Sequence, residues 1–169
     1  MDNPLHIRAL TAADAPIIAA AFARQGWHKP AEQYNTYWQE SQTGQRDVLL
    51  AEYEGAFAGY VTIVWQSDYP PFRQAHIPEI VDFNVLKIYQ RRGIGTALLD
   101  KAEARIAQHA PLAGIGVGLL PGYGAAQILY VRRGYVPDGK GIWGHGRWPD
   151  YGDVLTLDDD VALYFTKLL

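Results

Sequence analysis

The stretch that decides the fold is Glu79-Ile80-Val81-Asp82-Phe83-Asn84-Val85, followed after four more residues by Gln90-Arg91-Arg92-Gly93-Ile94-Gly95. The first part is an apolar, strand-like run, and the second opens an amphipathic helix. Two glycines let the backbone turn tightly and approach a ligand, while the N–H groups and positive dipole end of a first helical turn attract anions. The junction therefore predicts a site for a pyrophosphate, the alternative being a plain tight connection between strand and helix.

The residues after this junction repeat with helical spacing. Apolar side chains recur every four residues from Ile94 to Ile106, and charged ones occupy the opposite face. This pattern predicts a helix over residues 93–109, with the glycines at its N-terminus. Leu98 stands where a dinucleotide-binding fingerprint has its third glycine, so a nucleotide-binding protein is the weaker interpretation.

A second motif lies about forty residues downstream: Ala125-Ala126-Gln127-Ile128-Leu129-Tyr130-Val131-Arg132-Arg133-Gly134-Tyr135. It predicts a short helix closed by Gly134. Together the two motifs resemble the GCN5-related N-acetyltransferase (GNAT) superfamily. That family has a Gln/Arg-x-x-Gly-x-Gly/Ala loop after its fourth strand and a Leu-Tyr-x-x-x-Gly-Phe/Tyr helix after its fifth.

The rest of the chain predicts strands and helices in the element order of that family. We expect an α/β (α+β) fold with a central, mixed β-sheet flanked by helices, the GNAT-like acyl-CoA N-acyltransferase fold. The expected elements are strand 6–10, helices 11–26 and 31–42, hairpin strands 47–53 and 57–65, loop 68–78, strand 79–85, helix 93–109, strand 114–120, helix 122–133, and strands near 135 and 161–166.

The resemblance implies acetyl-CoA as cosubstrate and direct attack by an amine in a ternary complex. It places the donor for the developing oxyanion at a backbone N–H near Phe83. The cofactor-binding residues implied in this way are Phe83, Val85, Gln90, Arg91, Arg92, Gly93, Ile94, Gly95, Thr96 and Tyr130.

Tyr130 matches the family tyrosine that protonates the departing thiolate, because it lies four residues before Gly134. A phenol can donate a proton in that role. The alternative is a core tyrosine that packs with Ala126 and Leu129. The family commonly has asparagine seven residues before this tyrosine, whereas this chain has Tyr123, which puts one usual contact in doubt.

Two carboxylates compete for the role of general base. Glu79 matches the position of the glutamate that histone-type members use, and regular alternation places it on the face of Phe83 and Val85. About 13 Å separates it from Phe83, so it would act through ordered water. Asp82 points to the other face unless a bulge resets the alternation.

Aromatic residues predict the acceptor site. The segment Gly141–Asp153 is interpreted as a lid in which Trp143, Trp148 and Asp150 hold an amine by cation–π and ionic contacts. The alternative is a long loop held down by its own aromatic rings. Trp27-His28 and the segment from Tyr34 to Trp38 are expected on the opposite wall, as the first helices are in the family.

Composition limits the remaining possibilities. A length of 169 residues with 49% hydrophobic content predicts one domain, residues 1–169. The net charge of −3 disfavours nucleic acid or a membrane surface as the main partner. The absence of cysteine excludes disulfides and thiolate catalysis, and without a signal-peptide pattern we expect a cytoplasmic protein. The histidines show no ligand spacing, so no metal is expected. Asp158-Asp159-Asp160 is interpreted as a solvated turn, the alternative being a site that binds a cation.

The sequence therefore predicts an acetyl-CoA-dependent N-acetyltransferase that acts on a primary amine of a small molecule or peptide. The alternative is a catalytically silent acyl-CoA-binding module that senses the cofactor. The resemblance allows a homodimer, but no stretch predicts its interface.

Overall fold

The structure of the protein, a computed structural model, describes residues 4–169. Within these residues the strands are β1 (Leu5–Ala9), β2 (Arg46–Tyr53), β3 (Ala56–Val64), β4 (Glu79–Val85), β5 (Leu112–Gly118), β6 (Val136–Trp143) and β7 (Ala162–Leu168). The helices are α1 (Asp14–Arg24), α2 (Ala31–Gln42), α3 (Pro70–Ala75), α4 (Ile94–Ala107) and α5 (Gly124–Arg132). Single turns of 3₁₀ helix lie at Lys87–Tyr89 and Pro121–Tyr123.

The seven strands form one mixed sheet in the order β1-β2-β3-β4-β5-β7-β6. Only β4 and β5 pair in parallel, since the helical crossover through α4 joins them. Their pairing is limited to Glu79 with Gly114 and Ile80 with Ile115. Beyond that point β4 continues against β3 and β5 against β7, so the middle of the sheet opens into a gap between β4 and β5.

Helices cover both faces of the sheet. On one face α4 and α5 pack on a cluster that includes Ile63, Ile80 and Val117. On the other face α1 and α2 pack on a cluster that includes Val48, Leu50 and Tyr60. The expected mixed α/β sheet flanked by helices is thereby confirmed.

Strand β5 has glycine at every second position on the face of α1 and α2: Gly114, Gly116 and Gly118. A Cβ at these positions would meet the rings of Phe72, Tyr164 and Tyr123 respectively. The alternation of side chains along a strand places all three glycines on one face. The bare strand therefore forms a glycine floor against which the three aromatic rings pack.

The segment expected to be a loop, 68–78, contains the short helix α3, whose Phe72 packs on Gly114. Pro70 and Pro71 suggested a loop, yet proline is tolerated in a first helical turn. Among the helices of residues 4–169, none is both long enough and apolar enough to cross a membrane.

Candidate functional site

A β-bulge in β4 organises the candidate site. Tyr60 pairs with Asn84 and Thr62 with Val81, so β4 has one residue more than β3 over this interval. The bulge includes Asp82, whose φ of 52° lies in the left-handed region. Aspartate enters this region more readily than most residues, and a bulge commonly redirects a side chain.

The bulge changes the face of the sheet on which Glu79 and Asp82 lie, compared with the expectation from regular alternation. Regular alternation would have placed Glu79 with Phe83 and Val85, opposite Asp82. In the structure Ile80, Phe83 and Val85 belong to the α4 side, whereas Asp82 bonds to Tyr60 and to α2 on the other side. Glu79 precedes Ile80 and pairs with Gly114 of the glycine floor. The two carboxylates therefore share one face, because the extra residue shifts the alternation between them.

The carboxylate of Asp82 accepts hydrogen bonds from five side chains, and its side chain is only 16% exposed. Oδ1 accepts from the Lys29 ammonium and the Asn84 amide, while Oδ2 accepts from an amide and two phenols on α2 and β3. The five distances are Lys29 Nζ 3.0 Å, Asn84 Nδ2 2.8 Å, Gln33 Nε2 2.9 Å, Tyr37 OH 3.0 Å and Tyr60 OH 2.5 Å. A buried carboxylate requires such compensation.

Glu79 lies in a different environment. The residue is 9% exposed, and its carboxyl group accepts a hydrogen bond from the Ser67 hydroxyl. Burial raises the pKa of Glu79 to about 7, and the hydrogen bond from Ser67 opposes this shift only in part. Glu79 and Asp82 are three strand residues apart, roughly 10 Å. The site thus holds one carboxylate bound to a cation and another that titrates near neutrality.

The glycine loop before α4 meets the requirements of an anion site. Gly93 has a φ of 78° at the N-terminal boundary of α4, and no side chain caps the helix. The first backbone hydrogen bond there runs from Ala97 N–H to Gly93 C=O. The N–H groups of Ile94, Gly95 and Thr96 are therefore unused by other described residues.

The side chains of this loop take different positions. Ile94 is buried in the core, so only its backbone is available to a ligand. Arg91 and Arg92 are exposed, and the Arg92 guanidinium lies 5.1 Å from the Tyr53 ring centre. The Gln90 side chain is exposed and donates to Val85 C=O. A Cβ on Gly95 would lie 3.0 Å from Phe83 Cζ, so this glycine allows close packing on β4.

Tyr130 lies in the core cluster under α4 and α5, 6% exposed. Burial raises the pKa of its phenol, and the neighbouring Tyr123 adds to the shift. Its hydroxyl makes no hydrogen bond to another described residue, which leaves it free to donate. Tyr123, at the family's asparagine position, donates to Asp159 Oδ1 at 2.7 Å instead.

The expected acceptor residues do not all meet at Asp82. Trp143 and Trp148 pack edge to face with ring centres 4.4 Å apart, and Tyr69 links them to the Tyr164 ring above the glycine floor. Asp150 is exposed beside a cavity of about 430 Å³ and contacts no described residue of the Asp82 network.

On the opposite wall, Trp27 is exposed and stacks on Phe22. Tyr34 has no exposed surface, because it lies behind Tyr60 with the two ring centres 5.4 Å apart. It therefore reaches the Asp82 network only indirectly, through its ring contacts with Tyr60 and Tyr37.

Several residues of the candidate site were missed from the sequence: Lys29, Gln33, Tyr60, Asn84 and Ser67. The alternation of side chains in β3 could have identified Tyr60, since it places Tyr60 on the face opposite to Val61, which packs under α4. The remaining donors have no local pattern. His145, Asp158 and Asp160 also come within 4.8 Å of one another in the loop between β6 and β7, where His145 Nε2 donates to Thr156 C=O.

A sheet that opens beside an uncapped helix N-terminus, with carboxylates on its opposite face, has the architecture of an acyltransferase. The family model described as the Acetyltransferase (GNAT) family matches residues 14–135, and the chain belongs to this family. It is an enzyme, an N-acetyltransferase.

Solved structures share this fold. YncA from Salmonella typhimurium, whose structure contains its cofactor acetyl-CoA, matches with a TM-score of 0.68 and 17% identity over 98% of this chain and 94% of that one. The ribosomal-protein-alanine N-acetyltransferase from Brucella melitensis matches with a TM-score of 0.66 and 23% identity over 97% and 99% of the two chains. An acetyltransferase of the GNAT family from Streptococcus pneumoniae gives 0.67 and 21% over 98% and 99%. Comparison with the curated proteins finds no match.

The raised pKa of Glu79 predicts a pH-dependent contribution to stability. Its folded pKa of about 7 exceeds the ordinary value of 4.5. The contribution is therefore complete below the unfolded pKa and is lost as the pH rises through the folded one. From about pH 5 to about pH 8, the free energy of unfolding of the wild type should fall by up to about 3 kcal/mol more than that of Glu79→Gln. Urea unfolding measures this difference, and identical pH dependence in both proteins would show that Glu79 ionises normally.

Proposed function

We propose that this enzyme transfers the acetyl group of acetyl-CoA to a primary amine of a small molecule or peptide, by direct attack in a ternary complex. The observation that carries the proposal is the gap between β4 and β5, which lies between the uncapped N-terminus of α4 and the carboxylates of the opposite face. The acetyl-CoA bound in the similarly folded Salmonella structure supports it.

The residues present fit acetyl-CoA. The free N–H groups of Ile94, Gly95 and Thr96 would hold its pyrophosphate, with Arg91 and Arg92 exposed nearby. Gly95 packs on Phe83, which brings this loop close to the start of the gap. When bound there, acetyl-CoA supplies an acetyl thioester as the electrophile.

Each step of transfer then has a candidate residue on this chain. The backbone N–H of Phe83, next to the bulge, is proposed to stabilise the negative charge on the thioester oxygen. Tyr130 is proposed to donate a proton to the departing thiolate sulfur, since its hydroxyl has no competing partner among the described residues.

The two carboxylates take separate parts. Asp82 already binds an ammonium group, so we assign it to binding the acceptor. Glu79 has a pKa of about 7, which suits a base that takes up a proton near neutral pH. Because roughly 10 Å separates the two residues, the proton would pass through ordered water.

Thiol release from acetyl-CoA across a panel of primary amines tests this function, with the acetylated product identified by mass spectrometry. We expect release with at least one amine and none with Gly95→Val, whose side chain would collide with Phe83 and displace the loop. A thermal melt without ligand verifies that the variant folds. Binding of acetyl-CoA without thiol release from any amine would favour the silent acyl-CoA-binding module.

Replacement of Tyr130 by phenylalanine tests the proton donor. The ring still packs, but the hydroxyl is lost, so kcat should fall about 100-fold with acetyl-CoA affinity nearly unchanged. Tyr135→Phe is the matched control, because its buried ring lies 6.0 Å from that of Tyr130 in the same cluster. An equal kcat for Tyr130→Phe and the wild type, with chemistry rate-limiting, would assign Tyr130 to packing.

A further inference from the structure

The ammonium of Lys29 occupies a cage beside the gap in the sheet. Its Nζ donates to Asp82 Oδ1 at 3.0 Å and to the Tyr60 oxygen at 3.1 Å. The ring centres of Phe22 and Tyr60 lie 5.5 and 5.7 Å from it. A carboxylate, a phenol oxygen and two aromatic faces are the groups that recognise an alkylammonium ion.

We propose that this cage is the binding site for the acceptor, that the acceptor is an unbranched primary alkylammonium, and that Lys29 occupies its place in the resting enzyme. The inference rests on the proposed function, whose acceptor it defines more narrowly. Lys29 then acts as an internal competitor that the acceptor must displace.

The walls of the cage do not depend on Lys29. Phe22 and Tyr60 are fully buried and pack edge to face, with Tyr34 supporting Tyr60 from behind. Tyr60 donates its own proton to Asp82 Oδ2, so its oxygen remains aimed at the cage. An empty cage would therefore keep its shape and would be selective for a cation.

The geometry also limits the shape of the ligand. The group now held is the end of a straight alkyl chain that reaches the carboxylate alongside two rings, with its nitrogen 5.5 and 5.7 Å from the ring centres. A substituent on the carbon next to the nitrogen would meet those rings. An α-carboxylate there would be repelled by Asp82 at close range. These constraints favour an unbranched aminoalkyl group over a free amino acid.

Lys29 is placed where it can withdraw. It lies in the connection between α1 and α2, and the backbone N–H groups of His28 and Lys29 bond to no other described residue. Withdrawal would leave Asp82 with neutral donors only. The Arg46 guanidinium cannot easily replace the ammonium, because it is bound to Glu40 and Thr62. An incoming ammonium would restore the charge balance.

Asp82 also faces the reaction path. Its charge also raises the pKa of Tyr123, after the larger effects of burial and of the Asp159 carboxylate, so the cage is within electrostatic reach of the segment that leads into α5. An acceptor nitrogen at Asp82 would thus approach the gap from the side opposite the glycine loop.

The test compares butan-1-amine with its branched isomer butan-2-amine, in the wild type, Lys29→Met and the control Lys87→Met. Lys87 Nζ lies over the Trp27 ring 5.3 Å away and outside the cage. Calorimetry without acetyl-CoA should show butan-1-amine binding about tenfold or more tighter to Lys29→Met than to the wild type or Lys87→Met. The branched isomer should gain much less. Lys29→Arg, which keeps a cation, should not show the gain.

Other results would overturn the inference. If Lys29→Met is less stable to heat and its affinity for butan-1-amine does not rise, the ion pair is only structural. If both isomers gain equally, the cage does not select an unbranched chain. Thiol release distinguishes this inference from the proposed function: release only with α-branched amines contradicts the inference alone, whereas tighter binding without release from any amine contradicts the function alone.

Discussion

The partly buried carboxylate of Asp82 is the interaction on which this face of the sheet depends. Its five donors come from the α1–α2 connection, α2, β3 and β4, so one charged group joins four parts of the chain. Loss of that carboxylate would leave the buried Tyr60 hydroxyl without this acceptor, at a cost of about 1–3 kcal/mol, and would weaken the four partly exposed donors less. The same hydrogen bonds hold Asp82 in its left-handed conformation, which costs on the order of 1–3 kcal/mol in isolation. The bulge and the network therefore stabilise each other.

The gap between β4 and β5 connects this network to the opposite face. Pairing ends after Ile80 and Ile115, where β4 follows β3 and β5 follows β7. One side of the gap meets the uncapped N-terminus of α4, and the other meets the two carboxylates. Glu79 and Asp82 share a face but lie in different environments. Glu79 therefore titrates near neutrality, whereas Asp82 forms an ion pair with Lys29. Paired carboxylates with different surroundings commonly divide catalytic roles in this way.

The sequence predicted the parts of the fold that rest on local pattern. The expected bounds of α2 and β4 match the structure, because apolar spacing and turn residues mark both elements. The junction between β4 and α4 was also predicted correctly, since glycines that follow a strand favour a tight turn into a helix. Strand β5 begins earlier than expected, at Leu112, and its glycines give no side-chain alternation to mark its face. Helix α3 was missed because its packing on Gly114, rather than its propensity, stabilises it. The bulge at Asp82 could not be predicted, because four of its five donors lie 22 to 53 residues away in sequence.

The pH dependence of kcat/KM, compared among the wild type, Glu79→Gln and Asp82→Asn with one amine acceptor, tests the central claim most directly. A base must be deprotonated to act, so the wild-type value should rise with pH through about 7, the pKa of Glu79. The account predicts that Glu79→Gln loses this inflection. It predicts that Asp82→Asn keeps the inflection and raises the KM of the acceptor about tenfold or more, because the ammonium has lost its counter-charge. An inflection lost in Asp82→Asn and retained in Glu79→Gln would contradict the account and assign the base to Asp82.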